Sequence, residues 1–551
     1  MLNVAVYFPE DYLDSSGNAS IALAIYRAKQ QPRKGSVFLN PGGPGAPGTH
    51  LTLNTGRSFA KLIGDDWDLI GFDPRGVGQT RPETRCFPST IEYDQFFANT
   101  VVEQGITISS IMNLSLSSSS ASSSTLFNEL VPQYRKLLEL KKAQAELCQN
   151  IGDRLRYMGT TTVVKDMDFI TKVLDGDDAK INYWGESYGS IIGAYLVNML
   201  PKRAGYVVID GIVDPVSWSN EPTHTLPAKW LGYAEKTYET FLQNCTKAGP
   251  TLCPLAKYED EPWKNIELRF EEFFDATAAR PISVPLGNRP GVLTSGAARG
   301  YLETFMYNPQ RWSEAAKVYS AAFAGDATLL YNLIVPPPLT ASENQSHPAP
   351  RRDLYSHAIA CLDTPPPSPL LSGNDPTAED LSRLGLQTLQ TVSPHFGVSL
   401  SMDVNEPYLG GGCQFWPVRA PERFSGPWGG DEVETGLERK MVIISNTADP
   451  ITPITSGLYL NSLMPQSSTM IIQDGAGHCS NALPSLCTAK LVRAYFSGNS
   501  EATIPRNGTI CYPDDVAFLD PLDSEKWRLM EQADREMIQA LRNIRRGHED
   551  A

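Results

Sequence analysis

The run Gly185-Glu186-Ser187-Tyr188-Gly189 sets a serine between two glycines, directly after the apolar residues 181–184. A Gly-x-Ser-x-Gly turn joining strand to helix bends the backbone sharply and lifts the serine hydroxyl above the sheet edge. A hydroxyl needs a base to act as a nucleophile. Seven histidines are available: His50, His224, His347, His357, His395, His478 and His548. Sites of this kind run in chain order serine, acid, histidine, with the last two on loops after late strands. His478 fits, following Gly475-Ala476-Gly477 and the strand-like 469–473, whereas His548 lies in a charged tail and His347 beside prolines. The acid is expected after the preceding strand, 441–445, in Asn446-Thr447-Ala448-Asp449-Pro450. Asp449 is the first candidate, with Asp210 or Asp214 as competitors, and Asp474 too near His478 in sequence. The glycines of Asn40-Pro41-Gly42-Gly43-Pro44-Gly45 let a backbone N–H face such a site unobstructed, so the N–H groups of Gly43 and Tyr188 are the expected oxyanion donors. The chemistry is acyl transfer.

These residues need a sheet to hold them. Residues 3–8 and 21–26 read as a hairpin around Asp14-Ser15-Ser16-Gly17-Asn18. Short apolar runs at 36–39, 67–72 and 181–184 each end in a Gly-containing turn, and 163–174 between them is amphipathic, with Val164, Met167, Ile170 and Leu174 on one face. A helix at 191–200 and a buried strand at 206–209 continue the alternation, which is the α/β signature. From 215 to 436 helical periodicity, aromatics and proline runs take over. Most of those aromatics are expected to pack helices together, and only a few to line a pocket. A strand resumes at 440–445. The organisation is thus a first part of an α/β core at 1–214, a helical lid at 215–436, and the rest of the core with a C-terminal helix at 437–551. The Ser-rich stretch 109–125 reads as a flexible loop. The tail carries Trp527, Met530, Met537, Leu541 and Ile544 at helical spacing, which reads as core packing in preference to a membrane anchor.

Composition narrows the function. The 551 residues carry 47 basic and 62 acidic side chains, a net charge of −15, with no Lys/Arg block, so nucleic acid is not an expected partner. No apolar run is long enough to span a membrane. Sequons at Asn18, Asn113, Asn244, Asn344 and Asn507, together with nine cysteines, point to the secretory pathway or the exterior, with a cytoplasmic location as the alternative; the start of the chain does not read as a signal, so a leader is expected to be missing. Cys245 and Cys253 bracket a Gly-Pro turn, and Cys487 and Cys511 flank a helix-like segment; Cys86 with Cys148 and Cys361 with Cys413 are looser pairs. Cys479, beside the proposed base, is expected to stay free. No Cys-x-x-Cys or His/Cys spacing supports a zinc site.

The ordered motifs resemble a known family. Asn40-Pro41-Gly42-Gly43-Pro44-Gly45, Gly71-Phe72-Asp73-Pro74-Arg75-Gly76-Val77-Gly78, Tyr183-Trp184-Gly185-Glu186-Ser187-Tyr188-Gly189, Asp449-Pro450-Ile451-Thr452-Pro453 and Gly477-His478 are similar to those of the tripeptidyl-aminopeptidase-like α/β-hydrolases, relatives of the proline iminopeptidases, and in particular to fungal members. The likeness spans roughly residues 4–515 and includes Ala358-Ile359-Ala360-Cys361-Leu362-Asp363 and Cys413-Gln414-Phe415-Trp416-Pro417 of the lid. It implies the α/β-hydrolase fold, the triad Ser187, Asp449 and His478, no cofactor and no metal, and a lid that selects the substrate.

Three functions compete: a serine exopeptidase releasing short N-terminal peptides or residues, an esterase, lactonase or thioesterase acting on a small metabolite, and a catalytically silent binding protein. An exopeptidase must recognise an ammonium, for which a carboxylate in a partly dry pocket is the natural partner. Asp363 is the first candidate, with Glu303 and Glu314 beside it.

Overall fold

The computed structural model describes residues 2–9, 12, 18–83, 85–109, 120–337, 355–365, 375–400, 409–498, 500–519 and 525–549. Its centre is a nine-stranded sheet built from β1 (Leu2–Pro9), β2 (Asn18–Tyr26), β3 (Gly35–Asn40), β4 (Trp67–Phe72), β5 (Ile181–Glu186) and β6 (Ala204–Asp210). A separate hairpin, β7 (Ile282–Val284) and β8 (Gly291–Leu293), comes next in the chain; β9 (Met441–Ala448), β10 (Ser468–Ala476) and β11 (Thr509–Cys511) complete the sheet. The spatial order is β1-β2-β4-β3-β5-β6-β9-β10-β11. Among the described strand pairs of this sheet, β1–β2 and β2–β4 are antiparallel and the rest parallel.

Alternation along the strands divides the core in two. Phe38, Tyr183 and Ile209 face a layer with Val164, Met167 and Ile170 of the helix Thr160–Asp175 and Ile191 and Ile192 of the helix Tyr188–Met199. Val37, Leu39, Trp184 and Val208 face the opposite layer, which holds Phe59 and Leu62 of the helix Gly48–Ile63, Val492 and Phe496 of the helix Leu486–Ser497, and Leu541 and Ile544 of the helix Gln532–Glu549. Because a strand repeats every two residues, neighbouring side chains must enter different layers. Both faces are covered, so the central strands send apolar side chains into both layers.

Residues 215–436 add no described strand to this sheet. They form helices such as Pro215–Asn220, Ala234–Leu252, Trp263–Ala279, Ser295–Met306 and Trp312–Phe323, whose aromatics, among them Trp218, Tyr238, Phe241, Phe270, Trp312 and Tyr319, are buried in continuity with the first layer. The expected packing role holds for them.

One expectation needs correcting. The Ser-rich stretch is helical from Ser120, where a 29-residue helix, Ser120–Cys148, begins; residues 110–119 lie outside the described ones. Leu126, Leu130, Tyr134 and Leu137 of that helix bury against Leu381 and Leu389 of the helix Ala378–Thr391. Polar composition at a helix's first turns hid an apolar face that begins just beyond it.

Disulfides join Cys86–Cys148, Cys245–Cys253, Cys361–Cys413 and Cys487–Cys511, and Cys479 is free and buried. The four pairings and the odd cysteine match the expectation. No described helix is long and apolar enough to cross a membrane.

Candidate active site

Parallel register brings the loops together. Asn40 of β3 pairs with Gly185 of β5, Glu186 of β5 with Asp210 of β6, and Asp210 with Ile444 of β9. The segments leaving the carboxyl ends of these strands and of β10 therefore share one edge, where open α/β sheets place their ligands.

Ser187 leaves β5 with φ 57° and ψ −123° and is followed at once by the helix Tyr188–Met199. A non-glycine residue in this region is strained and persists only where its surroundings enforce it. Here the Ser187 N–H donates to Asp210 O at 2.9 Å. A Cβ on Gly185 would lie 2.5 Å from Gly189 O, and one on Gly189 3.0 Å from Asn40 Oδ1, so both flanking glycines are required by close approach.

His478 follows β10, and its Nδ1 stands 3.0 Å from Asp449 Oδ2 and 3.2 Å from Oδ1. Asp449 is fully buried and takes N–H groups from Ile451, Thr452 and Cys479, and the Thr452 hydroxyl at 2.7 Å. Burial pushes its pKa up, but the imidazole and the Thr452 donors outweigh this and hold it below the usual carboxylate range. A carboxylate at Nδ1 fixes the proton there and leaves Nε2 as the acceptor. Thr452 Oγ1 also lies 3.1 Å from His478 Nδ1.

The competing acids are engaged elsewhere. Asp214 caps the helix Pro215–Asn220, accepting from the Val216 N–H and the Ser217 hydroxyl. Asp210 takes the N–H and hydroxyl of Ser480, and burial together with the nearby Glu186 charge raises its pKa far above normal. The Cys479 thiol reaches Asp210 O at 3.6 Å, the same carbonyl that holds the Ser187 N–H. Asn481 donates to Glu186 Oε2 at 2.6 Å. The His478 loop and the serine turn are thereby fastened to one another through the end of β6.

The glycine loop after β3 presses on the serine turn. A Cβ on Gly42 (φ 94°) would sit 2.5 Å from Glu186 O and 2.8 Å from Ser187 Cβ. The Gly42 N–H is already given to Asn40 Oδ1 at 2.9 Å. Gly43 follows at φ 105°, and Tyr188 opens its helix, where N–H groups lack an intrahelical acceptor.

The three acids weighed as ammonium partners separate sharply. Asp363, expected to be available for an ammonium, is buried with each oxygen engaged: Oδ1 accepts from the Thr160 N–H at 2.8 Å, and Oδ2 from Trp218 Nε1 at 2.9 Å and from the Thr160 hydroxyl. That hydroxyl also meets the Tyr188 phenol at 2.5 Å, so Asp363 braces the helix behind Ser187. Burial raises its pKa to about 6 against the opposing bonds from Thr160 and Trp218. Glu314 is partly exposed and paired with Arg311 at 2.7 Å. Glu303 is buried one turn before Tyr307, whose hydroxyl reaches it at 3.3 Å and whose ring centre is 5.6 Å from that of His478.

Thr452 and Gly42 escaped the sequence reading as site residues. The spacing Asp449-x-x-Thr452, an acid three residues before a hydroxyl, is the signal that marks Thr452.

Residues 35–249 match the family of the α/β hydrolase fold, and residues 401–511 that of TAP-like proteins. The chain is similar to serine protease Hip1 of Mycobacterium tuberculosis, 28% identical over 91% of this chain and 86% of that protein. It is similar also to carboxylesterase B of the same species, 26% identical over 92% of this chain and 86% of that protein. A third relative is the tripeptidyl aminopeptidase of Streptomyces lividans, at 24% over 90% and 82%. The protein is a serine hydrolase of α/β-hydrolase fold. The TAP-like match starts before β9 and runs to the end of β11, as the tripeptidyl-aminopeptidase resemblance implies.

Proposed function

We propose that Ser187, His478 and Asp449 act as a triad that forms and hydrolyses an acyl-enzyme, and that the physiological reaction is removal of short peptides or residues from a free N-terminus. His478 Nε2 takes the Ser187 proton as the hydroxyl attacks and returns it to the leaving group; Asp449 stabilises the imidazolium. The N–H groups of Gly43 and Tyr188 receive the oxyanion. The observation that carries this reading is the strained Ser187 turn locked, through Asp210 O, to the loop that bears the Asp449-held His478. Glu303 is the ammonium anchor, being buried beside Tyr307 at the base, while Asp363 braces the nucleophile's helix and Glu314 is an ion-paired surface acid. No cofactor enters the mechanism. Four disulfides and the sequons favour an extracellular setting.

The names of the relatives split between protease, aminopeptidase and carboxylesterase, so an esterase acting on a small acyl group is the second reading. A panel of free and N-acetylated tripeptidyl amides beside simple esters separates the two. The peptidase reading expects acetylation to lower kcat/KM by about tenfold or more, and Glu303→Gln to shrink that difference. Equal cleavage of both peptides, or activity on esters alone, selects the esterase.

A further inference from the structure

The C-terminal helix Gln532–Glu549 lies beyond residue 511, where the TAP-like match ends, yet it reaches the proposed base. Arg545 donates from Nη1 to His478 O at 3.3 Å and from Nη2 to Tyr307 O at 3.2 Å. Tyr307 O also receives the His478 N–H at 2.9 Å. Tyr307 is the C-cap of the lid helix Ser295–Met306, so its carbonyl belongs to the end of a helix where cations are favoured. One planar guanidinium thus spans two carbonyls, one on the base and one on the lid, a geometry that its fixed fork suits.

The helix is held firmly enough to place that side chain. Leu541 and Ile544 are buried in the layer with Phe59 and Leu62. Arg542 forms a buried ion pair with Asp515 one turn earlier. A Cβ on Gly547 would come within 2.2 Å of Thr55 Cγ2, which shows how closely this helix meets Gly48–Ile63. Arg545 Nε is buried and has no hydrogen-bond partner among the described residues, and no acid of the described set forms an ion pair with Arg545. Its hydrogen bonds therefore go to backbone carbonyls of the site, where a structural arginine would ordinarily find a carboxylate.

We propose that Arg545 is a positioning residue for the base: by bridging the carbonyls of His478 and Tyr307, it reinforces the backbone bond between them and steadies the orientation of His478 against the end of the lid helix. The inference rests on the triad assignment. Without the guanidinium the His478 loop keeps its link to Asp449 and its own N–H bond to Tyr307 O, but loses the side-chain clamp that holds both carbonyls at once, so His478 is oriented less firmly and Ser187 is activated less often.

The test compares wild type, Arg545→Gln, Arg545→Lys and the neighbouring exposed Arg546→Gln. Two readouts apply: the rate of Ser187 labelling by a fluorophosphonate, which needs no seated substrate, and kcat and KM on the best ester or peptide amide. Expected is a fall of about tenfold in labelling rate and in kcat for Arg545→Gln, with partial recovery in Arg545→Lys, which can hold one carbonyl at a time, and wild-type behaviour in Arg546→Gln. Thermal unfolding and far-ultraviolet circular dichroism show whether each variant is folded; should Arg545→Gln not fold, the lysine variant decides, with a labelling rate between wild type and one-tenth of it expected. A folded Arg545→Gln that labels at the wild-type rate overturns the proposal, as does a folded Arg545→Lys indistinguishable from wild type when the glutamine variant fails to fold. Absence of labelling in the wild type itself overturns the triad assignment instead.

Discussion

Two buried aspartates, one beside His478 and one linked to Tyr188, behave in opposite ways. Asp449 supports His478; Asp363 supports Thr160 and, through it, Tyr188. Both are removed from water, which alone would raise both pKa values. Asp449 collects three backbone N–H groups, a hydroxyl and an imidazole, and is held below the ordinary carboxylate range. Asp363 collects one backbone N–H, one hydroxyl and one indole N–H, and rises to about 6. Burial is shared, so the neighbours decide the direction: the attraction and hydrogen bond of His478, with the Thr452 donors behind them, hold Asp449 low, and Asp363 has no imidazole beside it among the described residues. A base needs the first kind beside it. A brace for a helix can tolerate the second.

The comparison breaks most visibly at Asp449. Asp449→Asn should lower kcat by about 10⁴, because the amide leaves the imidazole in the wrong tautomer, while Asp210→Asn should leave most activity in place. Steady-state kinetics on an activated ester checks both, and the reverse order would reassign the acid. A change that touches neither aspartate comes next: Gly42→Ala must displace the loop from Glu186 O and Ser187, and should cost about 10²-fold in kcat by spoiling the neighbouring oxyanion donor, with KM little changed.

Thr452→Val removes the hydroxyl donor from Asp449 and measures what it adds to the hold of His478. A loss of about tenfold in kcat is expected, with Thr452→Ser recovering most of it. The smallest effect on catalysis is expected at Asp363. Its folded pKa lies above the unfolded value, so its contribution to stability is fully present below the unfolded pKa and is lost as pH rises through about 6. Wild type should therefore lose stability relative to Asp363→Asn between pH 5 and pH 7.5, measured by urea denaturation, while kcat differs by less than about threefold. Asp449 has the opposite sign: its contribution is present above the unfolded pKa and lost as pH falls through the depressed folded one.

What the sequence showed and what it hid follow the same division. The serine turn, the glycine loop, Asp449 and His478 were legible as candidates because each is a short local pattern tied to the end of a strand; Cys245–Cys253 and Cys487–Cys511 were marked by a turn and a helix-like segment, whereas Cys86–Cys148 and Cys361–Cys413 were looser pairs without such a mark. The role of Asp363 was not, since its partners Thr160 and Trp218 lie 203 and 145 residues away and nothing local distinguishes a carboxylate filled by protein donors from one left open to a ligand. The helix beginning at Ser120 was hidden because its first turns are serine and its apolar contacts come from residues near 381–398. Arg545 reaches the site only through the packing of a terminal helix, which periodicity reveals as an apolar stripe without showing where its polar side chains end.

The central claim is that Ser187 is the nucleophile activated by the Asp449–His478 pair, and intact-protein and peptide mass spectrometry after fluorophosphonate treatment tests it most directly. The account predicts a single adduct on the peptide containing Ser187, absent in Ser187→Ala and formed far more slowly in Asp449→Asn and His478→Ala. An adduct that persists in Ser187→Ala, or one that forms at the wild-type rate without Asp449 or His478, would contradict it.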